Sequence, residues 1–239
     1  LDTNHIGNNI IYGMNRETGE KIEIKTCEHN RPQLRLWGDN LVWVEQGDLE
    51  SDSLYLYNFS NGESVVLEVF DNSTYGTCPP SIWNDVVVWS APGEDGGSVI
   101  KKLDLKNIDG LPVEDTLQEL IDPKGFAIYP STNGKAIAWL DALDPQKATL
   151  KLIIDGEEII DIAQGVGRFF GVGDNFVAYT QNNNIMLYFW EDGRYAHINP
   201  KGIQGRLSQC SINGNRITWY SNPPKDSEDI VNISIIEES

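Results

Sequence analysis

Residues 31–67 read RPQLRLWGDNLVWVEQGDLESDSLYLYNFSNGESVVL, and this stretch holds short apolar runs separated by turn residues. The run at 41–44 (LVWV) follows the turn at 38–40 (GDN), and the run at 53–57 (SLYLY) is followed by the turn at 61–63 (NGE). Runs of this length, rich in β-branched and aromatic residues and bounded by Gly and Asn, are typical of β-strands joined by tight hairpins. The stretch therefore predicts a small antiparallel sheet.

The aromatic strand of this stretch recurs along the chain. Short apolar runs contain Trp43, Trp89, Trp139, Tyr179 and Trp219, at spacings of 40 to 50 residues. Each run follows a turn suited to a two-residue hairpin with positive φ, at residues 38–40, 84–85, 133–134, 173–175 and 213–215. A fixed period of this length indicates a repeat architecture.

A second set of turns alternates with the first, at residues 18–20, 61–63, 109–110, 155–157 and 192–194. Each unit is therefore predicted to have four strands. No stretch has a convincing helical period, and residues 113–121, the best candidate, stand where a fourth strand belongs. Because a single four-stranded sheet cannot bury both faces, the units are expected to stack around an axis with the recurring aromatics between them.

These observations predict an all-β, five-bladed β-propeller of four-stranded antiparallel blades in a single domain. The blades are placed at residues 31–75, 76–126, 127–165, 166–206 and 207–239, the last being closed by N-terminal strands from residues 1–28. Deletion of residues 1–28 should then unfold the domain.

The same residues resemble a known family. A Pro, a short strand, a Gly/Asn turn, Val-Trp, an acidic loop, Leu-Tyr-Leu-Tyr and Asn-Gly-Glu follow one another in residues 31–67, and residues 79–89 and 129–139 repeat the opening half. This pattern resembles the TolB-type propeller repeat of bacterial and archaeal periplasmic and cell-surface proteins, over nearly the whole chain, although the fourth unit departs from it by using Tyr179. The resemblance implies an extracytoplasmic propeller, whether secreted, periplasmic or on the cell surface, and it implies no catalytic residue.

Composition limits the partners. The chain has 18 Lys+Arg against 36 Asp+Glu, a formal net charge of -18, so its surface repels nucleic acid and anionic membranes. No apolar run reaches the roughly 18 residues of a membrane span, so no membrane insertion is expected. The cysteines Cys27, Cys78 and Cys210 fit no zinc spacing and allow at most one disulfide. We expect a monomer.

Long acidic loops are predicted on the face of the propeller that surrounds the channel. Asp48, Glu50 and Asp52 stand at alternate positions and resemble part of a calcium loop, although the turn glycine and the closing glutamate of such a loop are missing. A Ca²⁺ site is one interpretation, and a solvated acidic hairpin tip is the other. No other cofactor is expected.

The loops between blades carry aromatic side chains that are candidates for ligand binding. They could stack on sugar rings, or they could fill gaps between blades. These residues are Tyr75, Phe126, Tyr129, Phe169 and Phe170.

No catalytic constellation is recognised in the sequence. It contains no nucleophile elbow, no metalloprotease helix and no phosphate loop. The predicted first strands at residues 33–37, 80–83, 169–172 and 210–212 contain no Asp or Glu, whereas glycoside hydrolysis needs a pair of carboxyl groups. We expect a non-catalytic protein-interaction or cell-surface module whose partner is a protein or a cell-wall glycan. The alternatives are a carbohydrate-binding, lectin-like propeller and, third, a glycoside hydrolase or lyase.

Overall fold

The computed structural model describes residues 9–27, 32–46, 51–71, 78–93, 96–107, 118–120, 125–142, 148–182, 184–198, 206–222 and 230–236. These residues form antiparallel strands, with one turn of 3-10 helix at Leu105–Asn107. The predicted all-β class is confirmed, and the second unit has its fourth strand within residues 113–121, at Gln118–Glu119.

Four of the sheets have four strands each. The first comprises β3 (Arg35–Trp37), β4 (Asn40–Gln46), β5 (Ser51–Asn58) and β6 (Glu63–Asp71). The second comprises β7 (Ser81–Trp83), β8 (Val86–Pro92), β9 (Ser98–Asp104) and β10 (Gln118–Glu119). The third comprises β11 (Ala127–Thr132), β12 (Ala136–Asp141), β13 (Thr149–Ile154) and β14 (Ile160–Gln164). The fourth comprises β15 (Phe170–Val172), β16 (Phe176–Gln181), β17 (Asn184–Phe189) and β18 (Arg194–Ile198).

Two smaller sheets come from the ends of the chain. The C-terminal one comprises β19 (Arg206–Asn213), β20 (Arg216–Asn222) and β21 (Ile230–Ile235), and the N-terminal one is the hairpin of β1 (Asn9–Met14) and β2 (Lys21–Cys27). In every sheet the strands lie side by side in chain order. The first strands of successive sheets contact one another, β3 with β7, β7 with β11, β11 with β15 and β15 with β19. Sheets arranged with their first strands together around an axis form a β-propeller.

The recurring aromatics lie between the sheets, as predicted. Trp43, Trp89 and Trp139 are 0% exposed, Tyr179 is 1% exposed and Trp219 is 4% exposed. Each belongs to a different core cluster, and each cluster joins residues of two neighbouring sheets. Truncating such a side chain to Ala costs about 3–5 kcal/mol, so these five side chains are a large part of what holds the sheets together.

The turns follow the prediction at four of five positions. Gly38 (φ 52°), Asn84 (φ 50°), Gly134 and Gly214 adopt the left-handed conformation expected in these hairpins. The prediction of positive φ is wrong for the turn at residues 173–175, where none of the residues has it. Glycine is needed at position 173 for a steric reason, because the Phe176 ring occupies the space where a Cβ atom would lie.

The N-terminal hairpin packs against the first sheet, where the closing blade is predicted. Its Ile11 and Cys27 are buried with Leu41, Trp43 and Tyr57. In the described residues β1 pairs only with β2, and β21 pairs only with β20. The joining of these strands into one blade, the count of five blades and the blade boundaries therefore stay predictions.

The inner edge of the first sheet is less covered than its counterparts. Leu36 in β3 is 59% exposed, whereas Ile82 at the same place in β7 is 7% exposed and Val172 in β15 is 3% exposed. Among the described residues, Leu36 thus lacks the apolar neighbour that the preceding sheet gives to Ile82 and Val172.

Candidate functional site

A cavity of about 580 Å³ lies where the first strands of the sheets meet. Its wall takes side chains from β3, β7, β11 and β15, from the segments before them, and from the end of β19. Aromatic rings form much of this wall, and the charged residues among its described members are two arginines. These residues are Trp37, Trp83, Tyr129, Phe169 and Phe170, with Arg35 and Arg168.

The hairpin registers show which wall positions are equivalent. Trp37 pairs with Asn40 and Trp83 pairs with Val86 across two-residue turns, and Asn133 closes the corresponding turn of the third sheet with an N–H donated to Ala136 at 3.3 Å. Two residues earlier in each strand stand Arg35, Ser81 and Ser131. Because side chains two apart point to the same face of a strand, these three share one level of the channel.

At this level the two serines link neighbouring sheets. The backbone N–H of Thr132 in β11 donates to Ser81 Oγ at 3.2 Å, and that of Val172 in β15 donates to Ser131 Oγ at 3.1 Å. Each hydroxyl satisfies a backbone donor of the next first strand, and it thereby fixes the spacing of the sheets. Arg35 departs from this arrangement, since its Nη1 donates to the adjacent Leu34 carbonyl at 3.0 Å.

Arg35 and Arg168 make the cavity wall positive within an acidic protein. Within the described ranges, neither guanidinium has a carboxylate at salt-bridge distance. The Arg168 guanidinium lies 5.3 Å from the centre of the Phe169 ring, a cation–π contact. The surrounding wall lowers the pKa of Arg35 by burial, yet an arginine side chain stays cationic at neutral pH.

Two indole rings in contact line the cavity beside the hairpin turns. Trp37 and Trp83 lie with centroids 3.9 Å apart and planes inclined by 35°. The corresponding contact between the third and fourth sheets is polar, because Asn133 Nδ2 donates to the Gly173 carbonyl at 2.6 Å. Neighbouring sheets are thus joined at this level by different side chains, an aromatic pair in one case and an amide in the other. The aromatic pair makes one side of the cavity apolar.

Tyr129 reaches the cavity from a strained backbone position. Its φ is 55°, a left-handed conformation that is rare for a bulky residue, and it lies in a bulge between Ile128 and Ser131 of β11. The buried Cys78 thiol lies against the Tyr129 backbone: burial raises the pKa of Cys78, and a hydrogen bond from that backbone opposes the rise. Strain of this kind persists where the surrounding structure enforces it, and it occurs often at ligand sites.

The aromatic residues predicted to bind ligand are divided by the structure. Tyr129, Phe169 and Phe170 line the cavity together. Phe126 is outside the cavity wall and forms an isolated parallel bridge with Ser98, and Tyr75 lies outside the described residues.

The acidic cluster is only partly described. Asp48 and Glu50 lie outside the described residues. Asp52 is wrongly placed by the sequence in a loop: it lies inside β5, opposite Gln46 of β4, and is 0% exposed. A solvated hairpin tip therefore does not include Asp52, because the β4–β5 ladder extends as far as the Gln46–Asp52 pair. The structure's described part contains no group of three His, Cys, Asp or Glu arranged to hold a metal ion.

Sequence reasoning missed the arginines and the pair of indoles. The sequence held a signal for Arg35: Ser81 and Ser131 occupy the equivalent position of the next two units, and an arginine replaces the serine in the first. For Arg168 and the Trp37–Trp83 contact no such signal exists, because the contact depends on how closely the sheets approach one another.

The wall of the cavity offers no acid–base pair. Among the described residues that line it, none is Asp, Glu, His or Cys. Ser81 and Ser131 lie in the wall, but a serine nucleophile needs a base beside it.

Among the residues with described structure, no helix is long and apolar enough to cross a membrane.

Comparison with solved structures identifies the fold. TolB from Acinetobacter baumannii superposes with a TM-score of 0.57 at 13% identity, over 95% of this chain and 57% of that chain. The β-propeller domain of the Trilobed protease from Pyrococcus furiosus, described as having an open velcro topology, superposes with a TM-score of 0.65 at 17% identity, over 94% of this chain and 75% of that chain. The chain has a TolB-like propeller fold.

A prolyl endopeptidase is also similar, with a TM-score of 0.65 at 14% identity, over 95% of this chain and 38% of that chain. The chain thus spans well under half of the prolyl endopeptidase and 57% of the Acinetobacter TolB. No protein-family profile matches the sequence, and no curated protein is significantly similar to it. At these identities the likeness concerns the fold alone.

Proposed function

We propose that the chain is a non-catalytic, extracytoplasmic binding propeller, a protein-interaction module whose ligand site is the central cavity. The observation that carries this proposal is the composition of the cavity wall, which holds two arginines with no carboxylate partner among the described residues and five aromatic rings. Cavities of about 300–1,000 Å³ with an apolar wall and a few polar groups are the usual form of small-ligand sites. The TolB-type sequence pattern and the acidic composition support the extracytoplasmic location.

The wall favours binding over catalysis. Hydrolysis of a glycosidic or peptide bond needs a general acid, a general base or an activated nucleophile within reach of the bond. The wall hydroxyls of Ser81 and Ser131 already accept inter-strand hydrogen bonds, and none of the described wall residues has a carboxylate, imidazole or thiol to activate them. His197, in the outer strand β18, is not part of it.

Carbohydrate binding is the second candidate, and one observation favours it. Tyr129, Phe169 and Phe170 all line the cavity, and aromatic rings in such a site can stack on sugars. A peptide with an apolar side chain would use the same rings, so the aromatic wall alone does not separate the two ligand classes.

One experiment tests both candidates. The labelled chain is applied to an array of short peptides and to a glycan array, and the spots are compared with those of Phe170→Ala and of Tyr12→Ala, an aromatic control that is exposed on β1, outside the cavity. We expect peptide spots that Phe170→Ala removes and Tyr12→Ala retains. Glycan spots with that dependence would establish the lectin alternative, and spots on neither array would contradict a binding module.

The absence of catalysis is tested on the same ligands. The chain is incubated with the peptides and with soluble polysaccharides, and the products are followed by mass spectrometry. We expect every ligand to be recovered intact. A product that the chain forms, and that Arg168→Gln no longer forms, would refute the non-catalytic proposal.

A further inference from the structure

The cation at Arg35 stands where the repeat otherwise has a structural hydroxyl. Ser81 and Ser131 each accept a backbone N–H of the next first strand, at 3.2 Å and 3.1 Å. A guanidinium has no acceptor, so Arg35 cannot perform that task. Its hydrogen bond to the carbonyl of the neighbouring Leu34 uses one Nη1–H, and the Arg35 side chain lines the cavity.

A second cation faces the same space. Arg168 precedes β15 and lines the cavity with Arg35, and neither has a carboxylate at salt-bridge distance in the described part of the chain. In a chain with 36 acidic residues, two arginines that share a wall in which no described residue is an acid form a local anion site. Arginine matches a carboxylate with two parallel N–H donors, which makes it a selective partner for that group.

The surface charge limits the size of the anion. With a net charge of -18, the protein repels a polyanion along its whole length, whereas a ligand with one or two negative charges can enter the cavity and meet the arginines. The site therefore suits a small carboxylate.

The wall also determines what accompanies the carboxylate. A sugar presents many hydroxyl donors, and the described wall residues include no Asp or Glu to accept them. The neutral amide acceptors there are Gln33 and Asn213, and Thr132 Oγ1 is already hydrogen-bonded to Ala136 and Gly134. The wall also has apolar parts, the Trp37–Trp83 pair and the Ile82 side chain, and an apolar side chain of a ligand gains free energy by packing against them. A free carboxylate next to an apolar side chain is the chemistry of a peptide C-terminus.

We propose that the central cavity binds the C-terminal end of a peptide, with Arg35 and Arg168 as the partners of its carboxylate and the aromatic wall against its last side chain. This proposal deepens the proposed binding function and rests on it.

The test uses two peptides that differ only in their terminal charge, N-acetyl-Ala-Ala-Phe as the free acid and as the amide. Calorimetric titration of the folded chain should give an affinity for the acid at least about tenfold above that for the amide, since charge-assisted bonds are the stronger ones. Arg35→Gln and Arg168→Gln should each weaken acid binding by about tenfold and leave the amide unchanged. Arg194→Gln is the matched control, because Arg194 is exposed and lies on the outer strand β18.

Three results would overturn the proposal: equal affinities for acid and amide, undiminished acid binding by both variants, or no binding of either peptide. Galacturonic acid that binds in an Arg35-dependent manner while the peptide acid does not would also overturn it and identify an acidic sugar as the ligand. If an arginine variant does not fold, the titrations of the parent are repeated with added NaCl, which should weaken binding of the acid and not of the amide. The array experiment detects binding of any peptide segment, internal or terminal. A negative result with these two peptides would therefore refute the C-terminal proposal, while the arrays still test the binding function by themselves.

Discussion

Replacing Gly173 by alanine tests how tightly the sheets are packed at the turn between β15 and β16. A Cβ atom there would lie 2.5 Å from Phe176 Cζ and 2.6 Å from its Cε1. Phe176 is 0% exposed and its ring centroid lies 5.9 Å from that of Phe189, so it cannot swing into solvent to make room. Since Gly173 has no positive φ, the whole penalty of the substitution is steric.

The expected magnitude follows from two opposing effects. Overpacking a buried site costs about 1–3 kcal/mol, while Gly→Ala lowers the entropy of the unfolded chain and returns about 0.4–1 kcal/mol. The net loss in the free energy of unfolding is therefore about 0–2.6 kcal/mol relative to the parent, and about 1–3 kcal/mol relative to a Gly→Ala variant without overpacking. For a domain of this size, a loss of about 2 kcal/mol lowers Tm by about 4–8 °C.

Gly167→Ala is the matched control for this prediction. No atom lies within 4 Å of a Cβ built at Gly167, and its φ is not positive, so the same substitution should be neutral or slightly stabilising. Both variants are compared with the parent by urea unfolding, followed by tryptophan fluorescence. If Gly173→Ala unfolded at the same urea concentration as Gly167→Ala, the close packing of the Phe176 ring on this turn would be refuted.

Three further predictions concern a contact between sheets, the strained position and a buried thiol. The Glu68 carboxylate accepts a hydrogen bond from Trp89 Nε1 and forms an ion pair with Lys101 Nζ. Glu68→Gln should therefore lower the free energy of unfolding, measured by urea, by about 1–3 kcal/mol, whereas Glu157→Gln at an exposed position should not. Equal urea midpoints for the two variants would contradict a role of Glu68 in joining the sheets. Tyr129→Gly and Tyr129→Ala both remove a ring that packs against the core and both should reduce peptide binding, but glycine alone relieves the positive φ and should give the higher Tm of the two; equal Tm values would contradict backbone strain at this position. Burial raises the pKa of the Cys27 thiol from 9.0 to about 11, so the thiol of the unfolded chain loses its proton at a lower pH than that of the folded chain. The free energy of unfolding of the parent, relative to that of Cys27→Ala, should therefore fall as pH rises from about 9 to 11. A difference that does not depend on pH would contradict the burial of this thiol.

The parts of the fold that repeat were predictable from the sequence. The aromatic strand in each unit, the turns before it and the succession of four strands are local patterns, and each recurrence makes the same inference again. Trp43, Trp89 and Trp139 could be assigned to the core before any coordinates, because a sheet that is buried on both faces needs a large apolar residue there. The turn at residues 173–175 was the exception, since composition did not reveal that Gly173 is needed to accommodate a ring.

The candidate site was predictable only in part. Tyr129, Phe169 and Phe170 were found because segments between blades lead into the first strands, and first strands surround the channel. Asp52 was misplaced because the end of a strand depends on cross-strand pairing, here with Gln46, and not on the local acidic composition.

The sequence by itself determined that the chain forms repeated antiparallel sheets with aromatic seams, since periodicity, turn residues and apolar alternation act over a few neighbouring residues. Only the tertiary structure decided that Arg35 and Arg168 share one cavity, that Trp37 contacts Trp83, and that Leu36 remains exposed where Ile82 is buried. These features depend on the distances between sheets that are far apart in the chain, and those distances are determined by the packing of all the seams together.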